Sequence, residues 1–199
     1  MEQKFKNVLV LAPHTDDGEF GAGGTIARFV AEGSNVYYAA FSTARQSVRD
    51  GLPKNILEIE VREATKRLGI KPDNLIVYGF TVRKLNYVRQ DILEELVKMR
   101  SDINPDLVLM PSPNDLHQDH YTVALEGMRA FKQTTILGYE IPWNNLTFHN
   151  QCFIKLSRAN LDKKVHALQA YESQKHRYYA TPDFIESLAK TRGVQVNAE

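Results

Sequence analysis

The chain has 199 residues, with 25 lysines and arginines against 24 aspartates and glutamates, a formal net charge of +1. That length suits one domain with a full hydrophobic core, and so even a charge balance argues against a polyanion partner such as nucleic acid. The one cysteine, Cys152, forms no internal disulfide, and the apolar stretch before Pro13 is too short to span a membrane and lacks a cleavage site, so a cytoplasmic protein without membrane insertion is expected.

Apolar runs alternate with helical patterns. Val8–Ala12 reads as a first strand, and the segment that follows opens a helix to about Gly33. Val36–Phe41 is the second strand. Leu57, Val61, Ala64 and Leu68 then share one helical face, with Gly69 as its stop. After a third strand at Leu75–Tyr78, a stripe of Leu85, Val88, Ile92, Leu96 and Met99 ends before Pro105. Leu107–Pro111 is the fourth strand, Tyr121, Ala124, Leu125, Met128 and Phe131 the next helical stripe, and Ile136–Glu140 the fifth strand. Continuous apolar strands are covered on both faces, so the fold class is α/β: a Rossmann-like, mainly parallel sheet with helices on both faces. Past Trp143 the regularity fades. Phe153–Leu156 reads as a strand and Leu161, Val165 and Leu168 as a helix, so a small α+β extension over about 144–199 is expected beside a Rossmann-like part over about 1–143, within one domain.

Two polar clusters stand at strand ends. APHTDDGEFGAGGT, residues 12–25, follows the first strand, and Pro111-Ser112-Pro113-Asn114-Asp115-Leu116-His117-Gln118-Asp119-His120 follows the fourth. In the strand order 3-2-1-4 these strands are neighbours at the topological switch point, where ligands bind. His14, Asp16 and Asp17 would then face His117, Asp119 and His120 across one crevice. Adjacent aspartates repel unless a cation or a proton intervenes. Two imidazoles and a carboxylate suit a divalent metal, and the spare aspartate can take a proton from water. Each cluster taken alone also reads as a polar turn or helix cap. The glycines do not spell G-x-G-x-x-G; they let the first helix pack closely on the sheet.

The first cluster resembles the motif PHPDDE-x-x-G-x-G-G-T, and Asp115-Leu116-His117-Gln118-Asp119-His120 resembles D-x-H-x-D-H, of the LmbE-like, or N-acetylglucosaminyl-phosphatidylinositol de-N-acetylase (PIG-L), family of zinc-dependent deacetylases. Glu60 with Leu68-Gly69, Asn104-Pro105-Asp106, Tyr139-Glu140 and Tyr171-Glu172-Ser173-Gln174 also match, so the resemblance covers essentially the whole chain. It implies His14, Asp17 and His120 as ligands of one Zn2+ per chain, with Fe2+ or another divalent metal as alternatives. Asp16 becomes the general base, His117 the stabiliser of the oxyanion or acid to the leaving amine, and Asp119 the residue that orients the His117 ring. The implied activity is hydrolysis of the acetamide of an N-acetylated amino sugar, of N-acetylglucosamine type, or of its conjugate. Such relatives often form homo-oligomers. Thr15 stands where that family has proline, which leaves the turn without a fixed φ and looser. Gly18 stands where it has glutamate, with Glu19 one place later. The chain ends at Glu199, where such relatives commonly continue through a further acidic and aromatic stretch.

Further candidates carry two readings each. Arg45 and Arg49, after the second strand, could bind an anionic group of the substrate or lie on a solvated loop. Trp143 could stack on a sugar ring or pack in the core, and Asp115 is a fourth candidate substrate contact. Glu60 points toward the core and needs a partner, through which it could brace the active-site loops, an arginine being one choice. Two other functions compete: a non-haem Fe(II) enzyme using the same two-histidine, one-carboxylate site, and a non-catalytic sugar- or nucleotide-binding module on the same fold.

Overall fold

The computed structural model describes residues 5–198. Strands β1 (Asn7–His14), β2 (Asn35–Ser42), β3 (Leu75–Val77), β4 (Leu107–Pro111) and β5 (Thr135–Tyr139) form one parallel sheet in the order β3-β2-β1-β4-β5. The helices are α1 (Asp17–Ala31), α2 (Ile56–Leu68), α3 (Arg89–Ile103), α4 (Gln118–Ala130), α5 (Arg158–Leu168) and α6 (Pro182–Val194). The expected Rossmann-like architecture and strand order are thus present.

Strand alternation divides the core into two layers. Val8, Val10, Ala12, Val36, Tyr38 and Ala40 face α1, α2 and α5, whereas Leu9, Leu11, Ala39 and Phe41 face α3 and α4. Residues 8–12 are wholly buried, as a central strand covered on both faces requires. Gly69, at φ +92°, closes α2 in the left-handed conformation that favours glycine.

The chain after β5 departs from the expectation. Residues 153–156 form no strand; among the described residues the extension holds helices, short turns and an irregular stretch over 148–157. Leu156 is spent instead on α1, where it packs against Gly24. Ser157 starts α5 with a capping box to Asn160, and α5 lies across α1 and α2. No described helix is long and apolar enough to cross a membrane.

The close approach of α1 to the sheet shows best at Gly21. A Cβ there would lie 2.2 Å from Tyr139 Cδ2. The ring has no room to retreat, since Tyr139 Oη donates to the Leu11 carbonyl at 2.9 Å. Alanine would gain about 1 kcal/mol of helix propensity and lose about 1–3 kcal/mol or more to overpacking. Gly21→Ala is therefore expected to lower Tm by up to about 8 °C in thermal unfolding.

Candidate metal centre and active site

β1 delivers His14 at its last residue, and α1 begins three positions later with Asp17. β4 lies beside β1, and the loop after it leads into α4, whose first turn carries Asp119 and His120. The two clusters therefore meet at the carboxyl ends of the central strands.

Three atoms there form a nearly equilateral triangle. His14 Nδ1 is 3.1 Å from Asp17 Oδ2, His120 Nε2 is 3.1 Å from the same oxygen, and the two nitrogens are 3.2 Å apart. The opposite side of each ring is held by a buried carboxylate. His14 Nε2 meets Asp119 Oδ2 at 3.0 Å, and His120 Nδ1 meets Asp115 Oδ2 at 2.8 Å. Each outer carboxylate accepts a proton from its own side of the ring, so the remaining nitrogens point at one another and at Asp17, where a bound cation would replace any proton they hold. Only a proton or a metal cation makes such a triangle favourable. Donors at about 2.0–2.1 Å from a tetrahedral ion lie roughly 3.3–3.4 Å apart, close to the edges observed. The residues present therefore fit a divalent metal. His117 also lies in this histidine cluster, with a ring nitrogen within 4.8 Å of those of His14 and His120, and its Nδ1 accepts the Asp119 backbone N–H at 3.1 Å.

Electrostatics follow from burial and these neighbours. Burial opposes the charge of Asp17, yet His120 and His14 overcome it and hold the carboxyl well below the usual range. Burial likewise disfavours the charged imidazoles, but Asp17 and the outer carboxylates push His14 up to about 9 and His120 up to about 10. The pocket thus favours positive charge at the triangle's centre. Asp16 is the contrary case: burial, then the charge of Asp17, raises it to about 6. It is half-buried at the N-cap of α1 and makes no capping bond, so its carboxylate is free to accept a proton. Burial and the two neighbouring imidazoles lower His117 to about 4. With Nδ1 occupied as an acceptor, its proton sits on Nε2.

Several expected roles change with the geometry. The Asp119 carboxylate does not orient His117; it binds His14 and accepts the backbone N–H groups of Arg83 at 2.5 Å and Leu85 at 3.2 Å. A carboxylate at the first turn of α4 points back along the helix, which brings it to the β1 side of the crevice. Asp115 is 4% exposed and is engaged by His120, the His117 N–H and Asn144, so it faces the metal ligand rather than a substrate. Trp143 gives one face to Tyr179, with ring centroids 3.6 Å apart, and meets the edge of Phe20, so that face is closed to a sugar. Arg45 pairs with Glu58 at 3.1 Å and, with Tyr78 and Phe80, lines a cavity of about 270 Å³ beside the ends of β2 and β3. Arg49 is exposed. The partner of Glu60 is Ser173, whose N–H and Oγ donate at 2.9 and 2.6 Å, and not an arginine.

Sequence reasoning did not reach Arg83, whose backbone sits at φ +66° to aim its N–H at Asp119. Nothing in the local composition marks that conformation. Nor did it reach Tyr38, the second of two adjacent tyrosines in β2, or give Tyr171 a chemical role.

The family described as PIG-L, GlcNAc-PI de-N-acetylase, matches residues 9–131. The chain belongs to it. Membership of this PIG-L family places the chain among deacetylases, hydrolases of an amide bond. Over 177 residues it is 32% identical to a protein of Escherichia coli K12 named uncharacterized deacetylase YaiS, covering 85% of this chain and 92% of that one. It is 33% identical over 134 residues to the diacetylchitobiose deacetylase of Thermococcus kodakarensis, covering 63% of this chain but only 49% of that relative. The solved structure of N,N'-diacetylchitobiose deacetylase from Pyrococcus horikoshii shares the fold, with TM-score 0.80 and 20% identity over 98% of this chain and 80% of that one.

Two measurements test this geometry. Asp115→Ala is expected to weaken binding of a divalent metal by about 10–100-fold in chelator competition, because His120 loses the group that orients its ring. Thr15 is wholly buried and its Oγ1 has no partner. Thr15→Val removes that orphan and is expected to stabilise by about 1 kcal/mol, raising Tm by about 2–4 °C in calorimetry.

Proposed function

We propose that the chain is a zinc-dependent N-deacetylase that hydrolyses the acetamide of an N-acetylated amino sugar or its conjugate in the cytoplasm. The observation that carries this reading is the triangle of His14 Nδ1, Asp17 Oδ2 and His120 Nε2 with the uncapped Asp16 carboxylate beside it. Two matched proteins bear names that specify diacetylchitobiose as substrate, which supports an amino sugar. Cys152 is free and exposed, in keeping with a reducing compartment.

His14, Asp17 and His120 would hold the metal. Zinc, when bound, lowers the pKa of water to about 7 and polarises a carbonyl oxygen. Asp16 accepts the proton as a water oxygen attacks the acetamide carbon. His117 donates a hydrogen bond from Nε2 to the carbonyl oxygen as negative charge develops there. As the C–N bond breaks, the proton held by Asp16 passes to the departing nitrogen, leaving acetate and a free amine. Asp115 and Asp119 keep the imidazoles aimed throughout.

Acetate release from a panel of N-acetylglucosamine conjugates, with purified zinc-loaded protein, tests the reading. Asp16→Asn is expected to keep the metal and lose about 10²–10⁴-fold in kcat. A panel with no turnover, or near-normal turnover in that variant, would defeat the proposal. Activity of the zinc-loaded, iron-free protein without oxygen separates it from an Fe(II)-dependent oxygenase.

A further inference from the structure

Two tyrosines from distant parts of the chain converge on one backbone oxygen between the metal ligands and the base. Tyr171 Oη donates to the Thr15 carbonyl at 2.6 Å, and Tyr38 Oη lies 3.0 Å from the same oxygen. The Gly18 N–H donates to Tyr38 Oη at 3.1 Å. Both hydroxyls also meet Glu19, Tyr171 at 3.1 Å and Tyr38 at Oε2. Thr15, Glu19 and Tyr38 are wholly buried and Tyr171 is 1% exposed, so no bulk water replaces these contacts.

The Thr15 carbonyl lies outside α1: the first helical bond of that turn runs from Phe20 N to Asp16 O. Its oxygen belongs to the peptide that leads into Asp16. Fixing that oxygen fixes the plane from which Asp16 projects, with His14 one residue before Thr15 and Asp17 two after. Tyr171 itself is held in place. It stands three residues beyond α5, and Ser173 just after it is bound through both N–H and Oγ to the buried Glu60 of α2. A chain of contacts thus runs from α2 through Ser173 and Tyr171 to the catalytic turn.

We propose that Tyr171, assisted by Tyr38, is a positioning residue: its hydroxyl clamps the Thr15–Asp16 peptide and so sets the orientation of His14, Asp16 and Asp17. The clamp also gives the turn two contacts at a place where it lacks the proline of the family pattern. This inference rests on the deacetylase reading for its kinetic consequence, but not for its geometry.

Tyr171→Phe keeps the ring and removes the hydroxyl. Cobalt-substituted protein reports ligand geometry through its visible absorption band without any substrate, and acetate release reports kcat and KM. The expected result is a cobalt band altered in position or intensity, with kcat lower by about 10–100-fold and KM within about twofold, the scale of a misplacement near 1 Å. Tyr139→Phe is the matched control, since it also removes a buried hydroxyl bonded to a β1 carbonyl; it should leave kcat unchanged. If Tyr171→Phe does not fold, Ser173→Ala, which loosens the anchor of Tyr171, is read by the same signature at about 3–10-fold in kcat. An unchanged kcat, or an equal loss in Tyr139→Phe, overturns the proposal. Should the wild-type protein release no acetate from any conjugate, the deacetylase reading fails separately, and the cobalt band alone decides: altered supports the clamp, unchanged overturns it.

Discussion

One carboxylate oxygen, Asp17 Oδ2, stands 3.1 Å from a ring nitrogen of His14 and 3.1 Å from one of His120. Much of the surrounding structure can be understood as the means of holding that arrangement. Left alone, two imidazoles pushed toward the charged form with nitrogens 3.2 Å apart repel. They are kept in place because each ring is bonded at its far side to a carboxylate that is itself anchored, Asp119 by two backbone N–H groups and Asp115 by one. Preorganisation of this kind spends stability locally so that a cation finds its donors already aligned.

Buried carboxylates are costly unless they are met by donors. Asp115, Asp119, Glu19 and Glu60 are each at most 4% exposed, and all four act on the turn and loop that carry the site. Their donors are hydroxyls, backbone amides and imidazoles rather than arginines. Glu126, on α4, is the contrast: it is wholly buried but met by Arg89 and Arg129, and it ties the segment after β3 to α4. Directional donors of this kind suit a site where positive charge is gathered at the centre. The two apolar layers on either side of the sheet supply the stability that offsets these groups.

The sheet was legible because its central strands are continuous apolar runs, and strand order followed from the alternation of strands and helices. That order alone brought residues 14–17 and 117–120 to one crevice. What the sequence left open was which partner each polar group takes. Asp115 and Asp119 are four residues apart, and composition does not say which imidazole each will meet; helix direction decides it. Trp143 could face a sugar or another ring, and only the return of the chain through Tyr179 settles that choice for one face. Residues 153–156 have a strand-like pattern, yet they form no strand and Leu156 packs over Gly24 instead. Long-range partners of this kind lie beyond periodicity, which sees only near neighbours.

The Thr15–Tyr171 contact joins positions 156 residues apart, whereas His14 and its partners on α4 are separated by 105 and 106. During synthesis, which runs from the N-terminus, every metal donor would therefore emerge well before the hydroxyl that aligns the turn. On that order, the residues that would hold an ion are in place with the first four helices, whereas the contact proposed to align the turn needs the segment that follows α5.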